Sequence, residues 1–412
     1  MSAIVHPALG RPRFETLPPL ALYIHIPWCL KKCPYCDFNS HERRGDVPEA
    51  RYVAALMRDL EFALPGIWGR RIVSVFIGGG TPSLFSPEAI DAILAGVRAR
   101  LVLLPDAEVT LEANPGTFER AKFAAFKAAG VNRLSLGVQS FDPRFLVALG
   151  RVHDADEARA AAHAAIEIFG NVNLDLMYAL PGQTEADAAA DAAAAIGFAP
   201  PHLSFYHLTV EPNTLFHRHP PKLPDDELSA DIEELVDGAL SAAGYVHYET
   251  SAHARPGYEC RHNSNYWRFG DYLGIGAGSH SKISSTDRVV RQVRFKNPQQ
   301  YMDRAEQGAP VIEESEVTRV EIGFEFMLNA LRLADGVPVA LFRERTGFPL
   351  GLVAREIAEA ERRGLLERDP LRLKASALGR RFLNDLQALF LPPSQTKPET
   401  PPAVVAFDRE IR

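Results

Sequence analysis

The sequence of 412 residues predicts an α/β fold built on a parallel sheet, and two observations lead to this prediction. First, six apolar runs alternate with segments whose apolar residues recur at helical spacing, which is typical of repeated βα units. Second, polar clusters follow the apolar runs, at the strand ends where the sites of such barrels lie. Six units indicate a partial barrel, although a full eight-stranded barrel also remains compatible with the pattern.

Each predicted unit begins with an apolar run of strand length. Pro27 closes the first run, and the second leads into the glycines at 78–80. The second helix opens with Ser86 and Pro87, an N-cap residue followed by a proline in the first turn. The predicted strands span residues 20–26, 72–77, 108–113, 133–138, 171–177 and 203–210.

The chain divides into four predicted regions. Residues 1–20 form an irregular arm, and residues 21–300 form the barrel with an irregular extension that begins after the last unit. Residues 313–391 form a small helical domain with a hairpin at 364–373, an arrangement that resembles a winged-helix module. Residues 392–412 are rich in proline and polar residues, which is typical of a disordered tail.

Composition excludes several classes of protein. The chain is 46% hydrophobic and 24% charged, as ordinary globular proteins are. Its net charge of −7 disfavours nucleic acid as a partner, including for the winged-helix-like module. No apolar run approaches the length of roughly 20 residues that spans a bilayer, and the N-terminus lacks the apolar centre of a signal peptide. We therefore expect a cytoplasmic location, which the oxidation-sensitive cysteines also fit.

Three of the four cysteines, Cys29, Cys33 and Cys36, lie within eight positions directly after the first predicted strand. Thiolates at this spacing can surround one inorganic centre, because soft sulfur ligands select iron–sulfur clusters or zinc. A zinc site would need a fourth ligand, for which His25 or Asp37 is available, but the usual paired Cys-x2-Cys halves are absent. The pattern favours a cubane cluster with one iron left open.

The Cys-x3-Cys-x2-Cys spacing, with Tyr35 before the last cysteine, resembles the signature of radical S-adenosylmethionine (SAM) enzymes. The preceding Tyr23-Ile-His-Ile-Pro-Trp28 resembles the oxygen-independent coproporphyrinogen III dehydrogenase family, which includes heme chaperones of HemW type. The resemblance implies a six-unit radical-SAM barrel, a 4Fe–4S cluster on Cys29, Cys33 and Cys36, and SAM chelated at the open iron.

Further residues at the strand ends match SAM-contacting positions of that family. Glu112 is a carboxylate in an apolar run, which is unfavourable unless it meets a partner such as a SAM hydroxyl or ammonium group. Arg151 is a natural partner for the SAM carboxylate. Capping, tight turns and structural ion pairs are the alternatives for these residues. The SAM contacts that the resemblance implies are Tyr23, Tyr35, Gly79, Gly80, Thr81, Glu112, Gln139, Arg151 and Asp175.

A second motif lies downstream, in Cys260-Arg-His262-Asn-Ser-Asn-Tyr266-Trp267. It resembles the His-Asn-x-x-Tyr-Trp motif of the chaperone subfamily, in which the histidine is implicated in heme binding. Imidazole is a good axial ligand for heme iron, and the two aromatic residues offer apolar faces to a porphyrin. Taken without the resemblance, a histidine beside aromatics is more often a hydrogen-bonded core residue. Cys260 is interpreted as inert.

Two functions share this scaffold. One is oxidative decarboxylation of coproporphyrinogen III, and the other is delivery of bound heme to acceptor proteins, with respiratory-chain components among the candidates. The dehydrogenase carries a further cysteine two positions after the third cluster ligand, where this chain has Phe38. Its N-terminal leader is also longer than the arm found here. Together with His262 these departures favour the heme chaperone, with SAM and the cluster retained for structure, regulation or a homodimer.

Overall fold

The computed structural model describes residues 10–117 and 120–392. In chain order the strands are β1 (Leu20–Ile26), β2 (Trp28–Cys29), β3 (His41–Glu42), β4 (Arg71–Gly79), β5 (Val102–Ala113), β6 (Arg133–Gln139), β7 (Val172–Tyr178), β8 (His202–His207), β9 (Val246–Glu249), β10 (Ala252–Ala254), β11 (Asp271–Ile275), β12 (His280–Ser284), β13 (Val289–Arg294), β14 (Val311–Glu316), β15 (Val337–Pro338) and β16 (Arg372–Leu373). The helices are α1 (Glu49–Ala63), α2 (Pro87–Arg100), α3 (Arg120–Ala129), α4 (Pro143–Ala148), α5 (Ala155–Phe169), α6 (Glu185–Gly197), α7 (Leu215–Arg218), α8 (Asp226–Ala242), α9 (Arg261–Trp267), α10 (Pro298–Glu306), α11 (Arg319–Ala330), α12 (Ala340–Thr346), α13 (Ala354–Arg362), α14 (Ala377–Arg381) and α15 (Leu383–Ala388).

The six predicted βα units are confirmed. Strands β1, β4, β5, β6, β7 and β8 lie side by side in this order and pair in parallel. Most side chains of β1 and β7 are buried on both faces, as expected of parallel strands covered by helices. Capping follows the sequence signals: the Ser86 hydroxyl accepts from the backbone N–H of Ala89, and Asp154 and Glu157 form a capping box on α5.

The prediction that the region after the sixth unit is irregular is wrong. The sheet has twelve strands, in the order β14-β13-β12-β11-β1-β4-β5-β6-β7-β8-β10-β9. Strand β11 pairs in parallel with β1, and β12, β13 and β14 continue the sheet as antiparallel neighbours. These strands are short and carry many polar side chains, so their sequence lacks the apolar run that identified the first six.

Buried ion pairs attach this added sheet to the barrel. Arg294 of β13 pairs with Asp59 of α1 at 3.1 Å, and both side chains are fully buried. The Tyr301 hydroxyl also donates to Asp59, at 2.8 Å. Asp271 of β11 accepts from Lys282 at 3.0 Å, again in a buried position. Because an unpartnered buried charge is strongly unfavourable, these pairs fix the position of the added strands relative to the barrel.

The C-terminal domain has its own apolar core, formed around Phe326, Phe342 and Leu386. Helices α11, α12 and α13 contribute Phe326, Phe342 and Ala360 to this core. The predicted hairpin at 364–373 is reduced to one bridge between Leu366 and Ala375, while β16 pairs with β15. The last two helices, α14 and α15, are separated at Phe382. The predicted tail at 392–412 lies outside the described residues from 393 onward.

Candidate functional site: two ends of one barrel

The cysteine loop, residues 29–36, leaves the C-terminal end of β1. Strand β2, at the start of the loop, pairs with β3, which follows the loop. This pairing holds the two ends of the loop together. The backbone N–H of Arg43 donates to the Cys29 carbonyl at 2.9 Å, and that of Cys36 donates to the Cys33 carbonyl at 3.2 Å. All three cysteines are free and half-buried, and burial raises the pKa of the Cys29 and Cys36 thiols. The loop therefore presents three thiols on a fixed backbone.

Arg151 lies directly against this loop. Its guanidinium donates to the Cys33 thiol sulfur at 3.4 Å, to the Tyr35 hydroxyl at 3.4 Å and to the Gly137 carbonyl at 2.9 Å. Its Nε is buried and has no hydrogen-bond partner among the described residues. A cation beside a thiolate stabilises the ionised sulfur. The arginine thus brings positive charge to the cysteines and keeps one donor free for a ligand.

The glycine loop, residues 78–80, passes so close to its neighbours that side chains are excluded. A Cβ on Gly80 would lie 2.5 Å from the Trp28 carbonyl oxygen, and one on Gly79 would lie 2.5 Å from the His25 ring. Gly79 also has a φ of +121°, which L-residues rarely adopt. The backbone N–H of Gly80 donates to Ile26 at 2.8 Å. The glycines therefore allow the end of β4 to pack closely against the residues that directly precede the cysteine loop.

Glu112, at the end of β5, accepts a hydrogen bond from the Gly79 backbone N–H at 3.0 Å. Burial and the neighbouring Asp175 carboxylate raise the pKa of Glu112 to about 8. Burial also raises the pKa of Asp175, although Ser135 and Asn173 donate to it at 2.8 Å each. Two desolvated carboxyl groups at the strand ends are suited to a ligand that carries positive charge or hydroxyl groups.

The remaining predicted SAM contacts occupy the same end of the barrel. Thr81 and Arg151 line a small cavity beside Cys33. Gln139 ends β6 with a φ of 72°, a left-handed conformation that costs about 1 to 3 kcal/mol at a non-glycine residue. Tyr23 points into the barrel, where its hydroxyl is 2.9 Å from His25 Nδ1. The structure thus brings the predicted residues of five strands to one end.

These residues fit the groups that the sequence implies. The cysteine loop carries three half-buried thiols, and the unpartnered Arg151 Nε and the glycine loop lie beside it. The zinc alternative has no support from His25: its Nε2 is 2.9 Å from the Asn39 carbonyl, its Nδ1 contacts Tyr23, and burial lowers its pKa to about 4. The donor set therefore suits a cluster with an open iron and a ligand held by carboxyl and guanidinium groups.

A polar cavity of about 200 Å³ lies inside the barrel below this end. Glu112 and Asp175 line its upper part. Its lower part includes Arg133, whose Nε is buried without a hydrogen-bond partner among the described residues, and His202, which contacts Asn173 and Tyr248. Neither Arg133 nor His202 is among the site residues predicted from the sequence, although an arginine that opens an otherwise apolar strand is a visible signal.

His262 lines the lower part of this cavity, and its ring centroid is 6.4 Å from that of Tyr23. Helix α9 closes the floor there, and His262 packs against the first half of β4, with Nδ1 3.0 Å from the Ser74 hydroxyl. Its Nε2 is 3.3 Å from the Tyr266 hydroxyl, and only 1% of the residue is exposed. Burial lowers its pKa to about 3. In this conformation the imidazole is a neutral, hydrogen-bonded core group.

Glu108 of β5 holds the start of α9 in place. Its carboxylate accepts from the backbone N–H groups of Arg261 and His262, at 3.2 and 3.1 Å, and from the Cys260 thiol at 3.5 Å. Carboxylates are favourable at a helix N-terminus, where backbone N–H groups lack partners. Burial raises the pKa of Cys260 to about 12, which favours the protonated thiol that donates to Glu108.

The C-terminal domain covers the outer side of α9. The Arg332 guanidinium lies over the Trp267 ring, 4.3 Å from its centroid, and reaches Glu249 at 3.7 Å. The backbone N–H of Ala334 donates to the Tyr248 carbonyl at 3.0 Å. The second motif is therefore enclosed between the barrel and the C-terminal domain.

Comparison with protein families identifies both domains. The profile of the radical SAM superfamily matches residues 23–194, and that of the HemN C-terminal domain matches residues 317–382. None of the helices within residues 10–117 and 120–392 combines the length and the apolar character that a membrane crossing requires.

Relatives cover almost the whole chain. The heme chaperone HemW of Escherichia coli is 48% identical over 377 residues, which is 91% of this chain and 99% of that protein. The heme chaperone HemW of Haemophilus influenzae is 45% identical, over 91% of this chain and 98% of that protein. A mouse protein, radical S-adenosyl methionine domain-containing protein 1, mitochondrial, is 35% identical over 95% of this chain and 94% of its own length.

Among solved structures, coproporphyrinogen III oxidase (HemN) from Escherichia coli, described as a radical SAM enzyme, superposes with a TM-score of 0.77. It is 25% identical, and the alignment covers 91% of this chain and 90% of that chain. The likeness therefore extends over the barrel, the added strands and the C-terminal domain.

Proposed function

This chain belongs to the family of radical SAM proteins whose members are named heme chaperone HemW, and from that premise we propose that it binds heme and delivers it to acceptor proteins. The observation that carries the proposal is the 48% identity that extends over 99% of the E. coli chaperone. Similarity over the full length includes both the cysteine loop and the His262 motif, so the proposal does not depend on the barrel alone.

The competing function is the oxidative decarboxylation of coproporphyrinogen III. It is favoured by the fold of HemN, but the identity to that enzyme is only 25%. At the position where the dehydrogenase carries its additional cysteine, this chain places Phe38, whose side chain is 59% exposed on the surface of the loop. A phenyl ring supplies neither a thiol nor a metal ligand.

The proposal includes a 4Fe–4S cluster on Cys29, Cys33 and Cys36, and SAM beside it. When bound and reduced, the cluster supplies electrons for SAM cleavage. Arg151 would balance thiolate charge and offer its free Nε to a carboxylate of SAM. Glu112 would accept from a SAM ammonium or hydroxyl group. In a chaperone these residues hold the top of the barrel in one arrangement rather than perform a turnover.

His262 is the proposed axial ligand of the transported heme, and this role requires a change at the barrel floor. The internal cavity of about 200 Å³ is smaller than the roughly 300 to 1,000 Å³ of common ligand pockets, so heme does not fit beside His262 as the floor stands. Displacement of α9 away from Ser74 would expose the imidazole. The contact between Arg332 and Trp267 makes the C-terminal domain part of that movement.

The proposal also names partners and a place. Heme-accepting proteins, with respiratory-chain components among them, receive the cargo, and two copies of the chain form a homodimer in the cytoplasm. The net charge of −7 remains the argument against nucleic acid. Size-exclusion chromatography with light scattering, before and after loading with SAM and heme, measures the oligomeric state.

A turnover assay separates the two functions. The reconstituted, chemically reduced chain is incubated with SAM and coproporphyrinogen III, and both porphyrin products and SAM consumption are measured. We expect no conversion of the porphyrinogen. A Phe38→Cys variant serves as the matched comparison, since it restores the thiol of the dehydrogenase at this one position. Turnover by the unaltered chain would overturn the chaperone proposal.

A further inference from the structure

Three side chains outside both ends of the barrel converge at the edge of the sheet. Asp237 of α8 receives two imidazoles on one carboxylate oxygen, Oδ1: His247 Nδ1 of β9 at 3.0 Å and His253 Nε2 of β10 at 2.6 Å. The two imidazole rings are stacked, with centroids 4.2 Å apart and planes inclined by 22°. Three separate elements thus direct one donor atom each toward the same point.

Both imidazoles already direct toward Asp237 Oδ1 the nitrogen that a metal would bind, His247 Nδ1 and His253 Nε2. A metal ion can therefore bind without a change in the orientation of either ring. A divalent cation between the three donors would replace both bridging protons with one shared positive centre.

The donor set has the chemistry of a transition-metal site. The three candidate ligand atoms all lie within 4.8 Å of one another. Two imidazoles and one carboxylate suit zinc and neighbouring divalent metals, which accept nitrogen and oxygen ligands with a remaining position for water.

We propose that Asp237, His247 and His253 form a binding site for a divalent transition metal of the zinc class. The site is open on one side, because the side chains of Asp237 and His247 are 42% and 28% exposed, while that of His253 is only 5% exposed. Metal enters from solvent on the Asp237 side, and water completes its coordination. The site is independent of the cysteine loop and contains no thiolate.

The metal would fix the hairpin that leads to α9. Between the two histidines, Tyr248 reaches from β9 to the barrel: its hydroxyl lies 2.8 Å from His202 Nε2 and accepts from the Cys260 backbone N–H at 3.2 Å. A metal that joins α8 to β9 and β10 would therefore also restrain Cys260, the first residue of the second motif. The role of the metal is structural, because it holds together the elements at the edge of the sheet.

The test uses the full chain with Cys29, Cys33 and Cys36 replaced by serine, so that thiolates do not compete for the metal. We expect it to bind one Co²⁺ with the weak visible bands of nitrogen and oxygen ligation and no thiolate charge-transfer band. Zinc titration by calorimetry should give the same stoichiometry. Elemental analysis of the cluster-loaded unaltered chain should then show one zinc in addition to its iron.

Variants assign the ligands. Asp237→Asn and His253→Gln should each weaken metal binding at least tenfold, since loss of groups that only orient ligands already costs about 10 to 100-fold. His219→Gln removes an exposed histidine elsewhere and should change nothing. If His253→Gln fails to fold, the half-exposed Asp237 substitution still decides. Absence of Co²⁺ binding, or equal affinity in Asp237→Asn and His219→Gln, would overturn the site.

Discussion

The contact between the glycine loop and the cysteine loop makes Gly80→Ala a sharp perturbation. The added Cβ would lie 2.5 Å from the Trp28 carbonyl oxygen and 2.8 Å from its carbon, and both are backbone atoms that cannot rotate away. The loop must therefore separate, which weakens the hydrogen bonds from the Gly80 N–H to Ile26 and from the Thr81 N–H to Trp28, each 2.8 Å long.

The magnitude follows from these contacts. Overpacking costs about 1 to 3 kcal/mol, and weakening of the two hydrogen bonds adds about 0.5 to 1.5 kcal/mol each. We expect Gly80→Ala to destabilise the barrel by about 2 to 6 kcal/mol and to lower the iron retained after reconstitution. Urea unfolding of the cluster-free chain, followed by circular dichroism, measures the first effect. Iron and sulfide analysis measures the second.

Gly238→Ala is the matched control for this substitution. Gly238 lies within α8, and a Cβ there meets no heavy atom within 4 Å. Alanine is a better helix former than glycine by about 1 kcal/mol, so the control should be equally or more stable and should retain its iron. An unchanged urea midpoint and a full iron content in Gly80→Ala would refute the role assigned to the glycine loop.

Three further predictions concern charges. Burial raises the pKa of Glu112 to about 8 from an ordinary value near 4.5, so the folded chain keeps a proton that the unfolded chain releases. Stability should fall between about pH 5 and pH 8, by at most about 1.4 kcal/mol per pH unit from this group, and Glu112→Gln should flatten that slope in urea unfolding at a series of pH values. Arg151→Met should weaken SAM binding to the reconstituted chain by about 10-fold or more, as measured by equilibrium dialysis. This is the loss expected when a charge-assisted hydrogen bond of about 1.5 to 3 kcal/mol is removed. Unchanged SAM binding would exclude the contact. Asp59→Ala leaves Arg294 buried without its partner and should cost about 3 to 5 kcal/mol in thermal unfolding, whereas Asp303→Ala on the surface should cost less than about 1 kcal/mol, and equal losses would contradict the ranking.

The first six strands were predictable because each is a long apolar run bounded by a turn. The strands after α8 were not predictable, because their residues lack an apolar run and become strands only by pairing with neighbouring strands. Strand β11 contains Asp271, whose charge is satisfied by Lys282 and Arg70, and it pairs with β1, about 250 residues earlier in the chain. Strand β14 is mostly exposed and acidic. Such strands are stabilised only by tertiary contacts.

The candidate site shows the same division. The cysteine spacing identified the top of the barrel, and parallel strands that share their C-terminal edge brought Glu112 and Asp175 there. Arg151 reaches the same end from the segment between α4 and α5. The left-handed backbone of Gln139 has no sequence signal. His262 was recognised by its motif, but its burial against Ser74 depends on where α9 packs, and residue type alone does not determine that.

The two ends of the barrel therefore have different physical properties. The top holds half-buried thiols and the buried Arg151 Nε, which has no hydrogen-bond partner among the described residues. The floor encloses a neutral histidine at 1% exposure. A carrier with this design would bind its cargo only when the floor opens. Opening of the floor must break two interactions: the hydrogen bond between Ser74 and His262, and the contact between Arg332 and Trp267.

Heme titration of the purified full chain, followed by its Soret absorbance, tests whether the chain is a heme carrier. We expect one heme per chain, bound without any requirement for SAM, and a weaker Soret band in His262→Ala. Ser74→Ala removes the hydrogen bond to His262 Nδ1 but leaves the imidazole, so this control should bind heme as well as, or better than, the unaltered chain. The absence of stoichiometric heme binding, or full binding by His262→Ala, would contradict the account.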